Sequence, residues 1–118
     1  MARTTFHGDI ESAGHEVVIA LVRDWLAQPQ LSMTLRRTGY ETTYRDDTIE
    51  VYCHEATVPG TGDSFYLLEG VVEAEPATAA QRLAVLAGAC RAAGIDCSID
   101  YAEADAEGSA IGAESTIE

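Results

Sequence analysis

The sequence predicts an α+β fold, and three observations support this prediction. Two stretches repeat apolar residues at spacings of three and four, which is typical of amphipathic helices. Several other stretches alternate apolar and polar residues, as half-buried strands do. The order is strand, helix, strands, helix, strand, which suits a ferredoxin-like two-layer sandwich. We therefore expect a mainly antiparallel sheet of about four to six strands with two helices packed on one face.

A strand and a helix are predicted at the start of the chain. Residues 3–10 alternate, with Thr4, Phe6, Gly8 and Ile10 on one face. After Ser12, which can act as an N-cap, an apolar stripe of helical spacing follows: Val17, Val18, Leu21, Val22, Trp25 and Leu26. Pro29 cannot continue a helix, so this helix should end by about Ala27. We expect the stripe, including Trp25, to pack against the sheet.

Residues 31–74 are predicted to form the middle strands. Three stretches have strand patterns: 31–36, 40–44 and 49–54. The Arg-Asp-Asp sequence at 45–47 supplies turn residues, so a β-hairpin is expected there. Residues 59–63, Pro-Gly-Thr-Gly-Asp, form a second turn that leads into a long strand over 64–74.

A second helix and a final strand are predicted next. Thr78 and Gln81 have the spacing of a capping box, which places the helix start at Thr78. One helix face carries Leu83, Leu86, Cys90 and Ala93. Gly94 suits the left-handed position after a helix. Strict alternation then predicts a strand whose apolar residues are Ile95, Cys97, Ile99 and Tyr101.

The chain has the length of one domain, and its composition divides it at residue 102. We expect a single globular α+β domain over residues 1–102. Residues 103–118 hold five acids and no base, with few large apolar side chains. Such a segment cannot offset the entropy of ordering itself, so an acidic flexible C-terminal tail is expected.

The charge of the chain restricts its partners. The formal net charge is −13, which repels nucleic-acid phosphates and anionic membranes and favours a basic protein surface or protein complex. All seven basic residues are Arg, so a GC-rich genome or a halophilic host is an alternative cause of the acidity. With neither a membrane span nor a signal peptide in the sequence, we expect a cytoplasmic protein.

The residues that most often carry chemistry lack a catalytic or metal-binding arrangement in the sequence. Cys53, Cys90 and Cys97 have no zinc-ligand spacing, and we expect them to be reduced structural thiols. His7 and His15 are expected to face solvent, and His54 follows Cys53 on a strand, where neighbours point to opposite faces. We therefore predict no catalytic residues, no metal and no cofactor.

Two candidate binding groups lie in the middle strands. Tyrosines and acids there could form an aromatic, acidic protein-binding surface on the sheet. Its candidate residues are Tyr40, Glu41, Tyr44, Asp46, Asp47, Glu50, Tyr52, Glu73 and Glu75. Alternatively, a cluster of guanidinium groups could clamp an anion, with candidates Arg36, Arg37 and Arg45.

These observations favour a small acidic, non-enzymatic protein-binding module. Such a module could be an inhibitor or nucleic-acid mimic of the anti-defence type that mobile elements carry, engaging a basic protein surface. The alternative is a small-molecule-binding domain or minor enzyme that uses the groove between sheet and helices. A homodimer subunit without chemistry of its own is the third hypothesis.

Overall fold

The computed structural model of the protein describes residues 2–12 and 14–118. The described residues form two helices and seven strands. In chain order these are β1 (Arg3–Ile10), α1 (His15–Leu26), β2 (Thr34–Arg36), β3 (Gly39–Arg45), β4 (Ile49–Thr57), β5 (Ser64–Val72), α2 (Pro76–Ala92), β6 (Cys97–Ala104) and β7 (Ser115–Ile117). The predicted α+β class is therefore confirmed.

All strands belong to one open, antiparallel sheet with the order β2-β3-β4-β5-β1-β6-β7. The sheet has seven strands where the sequence predicts four to six. The additional strand is β7, which has three residues and is too short to produce a recognisable alternation. Neither helix of the described residues has the length and apolarity needed to cross a membrane.

One face of the central strands, which we call the helix face, contributes to the core. Its residues form a single buried cluster with side chains from both helices, among them Phe6, Val51 and Leu68 from the sheet and Val22 and Leu83 from the helices. Alternate residues of the same strands point to the opposite side, which we call the open face. No helix contributes to the open face. Its side chains in β1, β3, β4 and β5 are exposed or half-buried, whereas Ala102 and Ala104 of β6 are buried.

Helix α1 departs from its predicted start and stripe. Its N-cap is Gly14, whereas the Ser12 hydroxyl accepts a hydrogen bond from the Gly14 amide at 3.3 Å. Val17 is 46% exposed, and Ile19 is buried in its place, so the buried stripe is rotated from the predicted one. The predicted end is confirmed, because Ala27 adopts a left-handed conformation with φ 55° two residues before Pro29.

Trp25 is half-buried and packs between the helices and the sheet. Its ring meets Phe6 edge to face, with ring centroids 6.4 Å apart. Its indole nitrogen donates a hydrogen bond to the Arg82 carbonyl of α2 at 2.8 Å. Trp25 therefore joins α1 to α2 as well as to the sheet.

Helix α2 begins earlier than the capping box predicts. It starts at Pro76, with Glu75 as N-cap, so Thr78 lies inside the first turn. Proline suits this first helical position because the amide it lacks would have no intrahelical acceptor there. The predicted left-handed Gly94 is confirmed, with φ 74°.

The β3–β4 hairpin forms at the predicted place and is held by Asp46. One carboxylate oxygen of Asp46 accepts hydrogen bonds from the Thr48 amide and hydroxyl and from the Ile49 amide. The β2 prediction is too long, since Leu31 and Met33 pack against the core from outside a strand and Leu35 is 65% exposed.

The segment after residue 102 contains regular structure. Strand β6 continues through Ala104, and the Asp105 carboxylate accepts hydrogen bonds from the Glu107 and Ser109 amides at a turn. Strand β7 then returns beside β6, pairing Thr116 with Asp100. The mobility of this segment in solution stays a prediction, whereas its path follows the sheet.

Candidate functional site

The pairing register arranges the open face into rows of side chains that cross the sheet. Partners directly opposite each other on antiparallel strands have their Cβ atoms about 4.5–5.5 Å apart. The first row runs across five strands and consists of Asp100, His7, Glu69, Tyr52 and Thr43. The second row, one pleat away, consists of Ala102, Thr5, Val71, Glu50 and Arg45.

A cavity of about 660 Å³ lies over these two rows. Its side-chain lining is His7, Glu69, Tyr52 and Thr43 from the first row and Thr5, Val71, Glu50 and Arg45 from the second. Volumes of about 300–1,000 Å³ are usual for ligand pockets, so the open face has room for a bulky side chain or a small molecule. This cavity is our candidate functional site.

The floor of the cavity depends on a glycine in β5. Gly70 pairs with Phe6 across β1 and β5. A Cβ added at residue 70 would clash first with the Glu50 carbonyl oxygen and would lie 2.8 Å from the Phe6 ring. The Phe6 ring therefore occupies space that a side chain at residue 70 would need. The packing of Phe6 in the core and the shape of the cavity floor thus depend on each other.

The charges in the cavity are unequally compensated. Glu50 faces Arg45, with 3.7 Å between a carboxylate oxygen and the guanidinium Nε. Within residues 2–12 and 14–118, Glu69 forms no ion pair and no side-chain hydrogen bond. An exposed carboxylate beside the ring of Tyr52 suits a cationic group, because a cation can meet the carboxylate and the aromatic face together.

The C-terminal segment borders the site. The Glu114 carboxylate contacts His7 Nε2 at 2.8 Å. Gly108 lies against Val71, and the Arg3 guanidinium donates a hydrogen bond to the Ala106 carbonyl. Residues 105–114 therefore reach over the open face next to the cavity.

The predicted tyrosines do not share one face. Tyr40 and Tyr44 point to the helix face and pack against the core, whereas Tyr52 lies on the open face. Tyr66 is completely buried, and its hydroxyl has no hydrogen-bond partner among the described residues. Burial raises the pKa of Tyr66 to about 12. The structure thus leaves Tyr52 alone as the aromatic anchor of the predicted surface.

The predicted acids are also dispersed. Glu50 lines the cavity, and Glu41 lies on the open face beyond it, 3.8 Å from the Arg36 guanidinium. Asp46 is engaged in its turn, where hydrogen bonds from Thr48 and Tyr44 hold its pKa well below the usual range. Three further candidates lie outside the strands, in bends or at the start of α2, and do not line the cavity: Asp47, Glu73 and Glu75.

The predicted anion clamp is not assembled. Arg36 ends β2 and Arg37 lies in the turn before β3, whereas Arg45 ends β3. Six residue steps of about 3.3 Å separate the two ends of that strand, or about 20 Å. Proximity in sequence was misleading here because an extended strand lies between the guanidinium groups.

The three thiols lie in β4 (Cys53), in α2 (Cys90) and at the start of β6 (Cys97). Cys53 and Cys90 are buried and Cys97 is half-buried. Burial raises the pKa of Cys53 to about 12, and a hydrogen bond to Cys90 raises the pKa of Cys97. The same hydrogen bond lowers the pKa of Cys90. A protonated, buried thiol is a poor nucleophile, and this applies to Cys53.

Of the two histidines predicted to face solvent, His7 is exposed and His15 is not. His7 is exposed as expected, yet it contacts Glu114 and belongs to the cavity lining. His15 is half-buried and stacks on Tyr40 with ring centroids 3.7 Å apart. His54 stacks on Tyr52, 4.6 Å away, on the open face.

Sequence reasoning missed five of the eight side chains that we assign to the cavity lining. The residues it did not select are Thr5, His7, Thr43, Glu69 and Val71. Alternation in β1, β3 and β5 places them on the side opposite the buried residues of their strands, which is a weak signal. Their common location depends on the register between strands that are far apart in sequence, and alternation carries no information about that register.

Comparison of the chain with protein-family models, with curated proteins and with solved structures returned no match. We therefore infer function from the geometry and chemistry of the open face.

Proposed function

We propose that the protein is a non-enzymatic binding module whose open sheet face binds a basic surface of a partner protein. The observation that carries the proposal is the cavity over the two rows, in which Glu69 lies between His7 and Tyr52 without an ion pair in the described part of the chain. A Lys or Arg side chain from a partner would meet this carboxylate and the Tyr52 ring at once. Glu50 offers a second carboxylate in the neighbouring row.

The overall charge supports a basic partner over an acidic one. With a formal net charge of −13, the chain attracts cationic surfaces over several ångströms and repels polyanions. Such a field raises association rates and disfavours wrong partners, while the cavity supplies short-range contacts. By covering a basic surface, the module would inhibit a protein that uses that surface to bind nucleic acid, which is the nucleic-acid mimic hypothesis.

The finer fold assignment is part of the same proposal. The strand order β6-β1-β5-β4, with α1 after β1 and α2 after β5, supports a ferredoxin-like two-layer core extended by β2, β3 and β7. In this arrangement the helices would leave the second sheet face available for binding. A cytoplasmic location is proposed as well, and three unpaired cysteines support a reducing compartment.

The test separates local recognition from general charge attraction. A tetra-arginine peptide is titrated into the full chain and into two charge-matched double variants, with affinity measured by calorimetry. Glu50→Gln with Glu69→Gln removes two carboxylates from the cavity, whereas Glu16→Gln with Asp24→Asn removes two from exposed positions of α1.

The two variants should behave differently although their net charges are equal. We expect the cavity variant to lose about tenfold in affinity, which corresponds to about 1.4 kcal/mol, and the helix variant to change by less than about twofold. Equal losses in both variants would show that the peptide responds only to net charge, and the proposed site would be wrong.

A small cationic molecule is the second candidate occupant. The cavity volume of about 660 Å³ lies within the usual range for small-molecule pockets, and Val71 and Thr5 offer a partly apolar floor. Native mass spectrometry of the purified chain distinguishes this candidate, since a retained small molecule adds a defined mass that Tyr52→Ala should remove.

A further inference from the structure

Three side chains with metal-ligating atoms converge at the border of the open face. They are His7, Asp100 and Glu114, and their ligating atoms all lie within 4.8 Å of one another. His7 Nε2 and a Glu114 carboxylate oxygen are 2.8 Å apart. The group joins a nitrogen donor to two carboxylates, which distinguishes it from the general acidity of the surface.

The strand pairing and a side-chain hydrogen bond bring these three residues together. His7 and Asp100 are directly paired across β1 and β6. Glu114 immediately precedes β7, where the Thr116 hydroxyl donates a hydrogen bond of 2.5 Å to Asp100 Oδ1. That bond orients the Asp100 carboxylate and leaves its Oδ2 free to act as a ligand. Hydrogen-bond partners of metal ligands commonly orient them in this way.

The ligand set suits a divalent cation of the zinc class. Zinc bonds to imidazole nitrogen and carboxylate oxygen are about 2.0–2.2 Å long, so ligand atoms around zinc lie about 3.0–3.5 Å apart. Side-chain rotations that move the ligand atoms by about 1 Å would bring the three atoms to that spacing. An imidazole donor favours zinc over Mg²⁺ and Ca²⁺, which prefer oxygen ligands alone.

We propose that His7, Asp100 and Glu114 form a zinc-binding site. The ion would replace the His7–Glu114 contact and link β1, β6 and the segment before β7. Three protein ligands leave a coordination position for water. The sequence predicted no metal because its ligands lie far apart in the chain, and a spacing motif cannot reveal such a site.

Zinc binding is measured by calorimetry on the full chain carrying Cys97→Ser, which removes the half-buried thiol as a competing ligand. The protein is first stripped with a chelator and then titrated with zinc in an excess of Mg²⁺, which occupies unspecific carboxylates. We expect saturable binding of a single ion and a rise in melting temperature. His7→Gln and Glu114→Gln should each lower the affinity by about tenfold or more.

Matched variants and a second readout complete the test. His54→Gln removes an imidazole from a half-buried position, and Glu107→Gln removes a carboxylate from an exposed one. Neither residue belongs to the proposed site, so both variants should leave zinc affinity unchanged. Hydrogen exchange of the β7 amides should slow when zinc binds. Absence of saturable binding, full competition by Mg²⁺, or undiminished affinity in His7→Gln would overturn the proposal. Because no peptide or partner is present, these outcomes are independent of the proposed function.

Discussion

The two faces of the sheet are built from alternate residues of the same strands, yet they are constrained in different ways. On the helix face, Phe6, Leu68 and Val72 are at most 3% exposed and belong to one core cluster. On the open face, their sequence neighbours His7 and Glu69 are exposed, and Val71 is half-buried. A shift of one residue along a strand therefore changes a position from one that stabilises the fold to one that is available for binding.

Two consecutive valines allow the sharpest test of this difference. Val72→Ala removes buried methyl groups from the helix face and should lower the free energy of unfolding by about 2–3 kcal/mol. Val71→Ala, the same change on the open face, should cost less than about 1 kcal/mol. Urea unfolding followed by circular dichroism measures both values, and equal losses would remove the distinction between the faces.

A tyrosine on the helix face is expected to break the general rule that changes there destabilise the protein. The Tyr66 hydroxyl is buried without a partner among the described residues, and burying such a group costs about 1–3 kcal/mol. Tyr66→Phe should therefore leave the free energy of unfolding unchanged or raise it by about 1 kcal/mol. A clear loss of stability in the same urea experiment would mean that the hydroxyl is hydrogen-bonded.

A substitution in the turn between β3 and β4 should have the smallest effect on stability, and this effect should depend on pH. The pKa of Asp46 is lowered by its hydrogen bonds with Thr48 and Tyr44, so the ionised carboxylate stabilises the folded state. This contribution is present above the unfolded pKa of about 3.9 and is lost as pH falls below it through the lower folded pKa. Asp46→Asn should cost less than about 1 kcal/mol near neutral pH because the group is exposed.

The pH profile provides the control for that variant. Since the amide introduced by Asp46→Asn does not titrate, the stability difference between the two proteins should be constant above about pH 5 and shrink below about pH 4. Thermal unfolding across this range measures the difference. Parallel profiles for the two proteins would show that the carboxylate charge does not contribute.

Local patterns in the sequence were sufficient for most elements of the fold. The alternation of β1, β4 and β6 and the ends of α1 and α2 were predicted because each depends on neighbouring residues, such as Pro29 or Gly94. The predicted start of α2 at Thr78 was wrong. Pro76 and Thr78 both suit a helix N-terminus, and propensity alone does not choose between them.

The candidate site was less predictable because it depends on register. Glu50, Tyr52 and Arg45 were selected from the sequence, whereas His7 and Glu69 were not. Their meeting with Tyr52 requires that β1, β5 and β4 pair in one particular alignment, and a shift by one residue would move every side chain to the other face. The predicted tyrosine surface divides for the same reason, since Tyr40 and Tyr44 point to the helix face and Tyr52 points to the open face.

We propose that the open face, and not the helix side, binds a basic partner. This binding is tested most directly by titrating a tetra-arginine peptide into isotopically labelled protein and following backbone and indole signals by nuclear magnetic resonance. We expect the largest shifts in β1, β4 and β5 around Glu69 and Tyr52, while the Trp25 indole, bonded to the Arg82 carbonyl on the helix side, stays unchanged. Shifts concentrated on α1 and α2, or spread evenly over all acidic positions, would contradict the account.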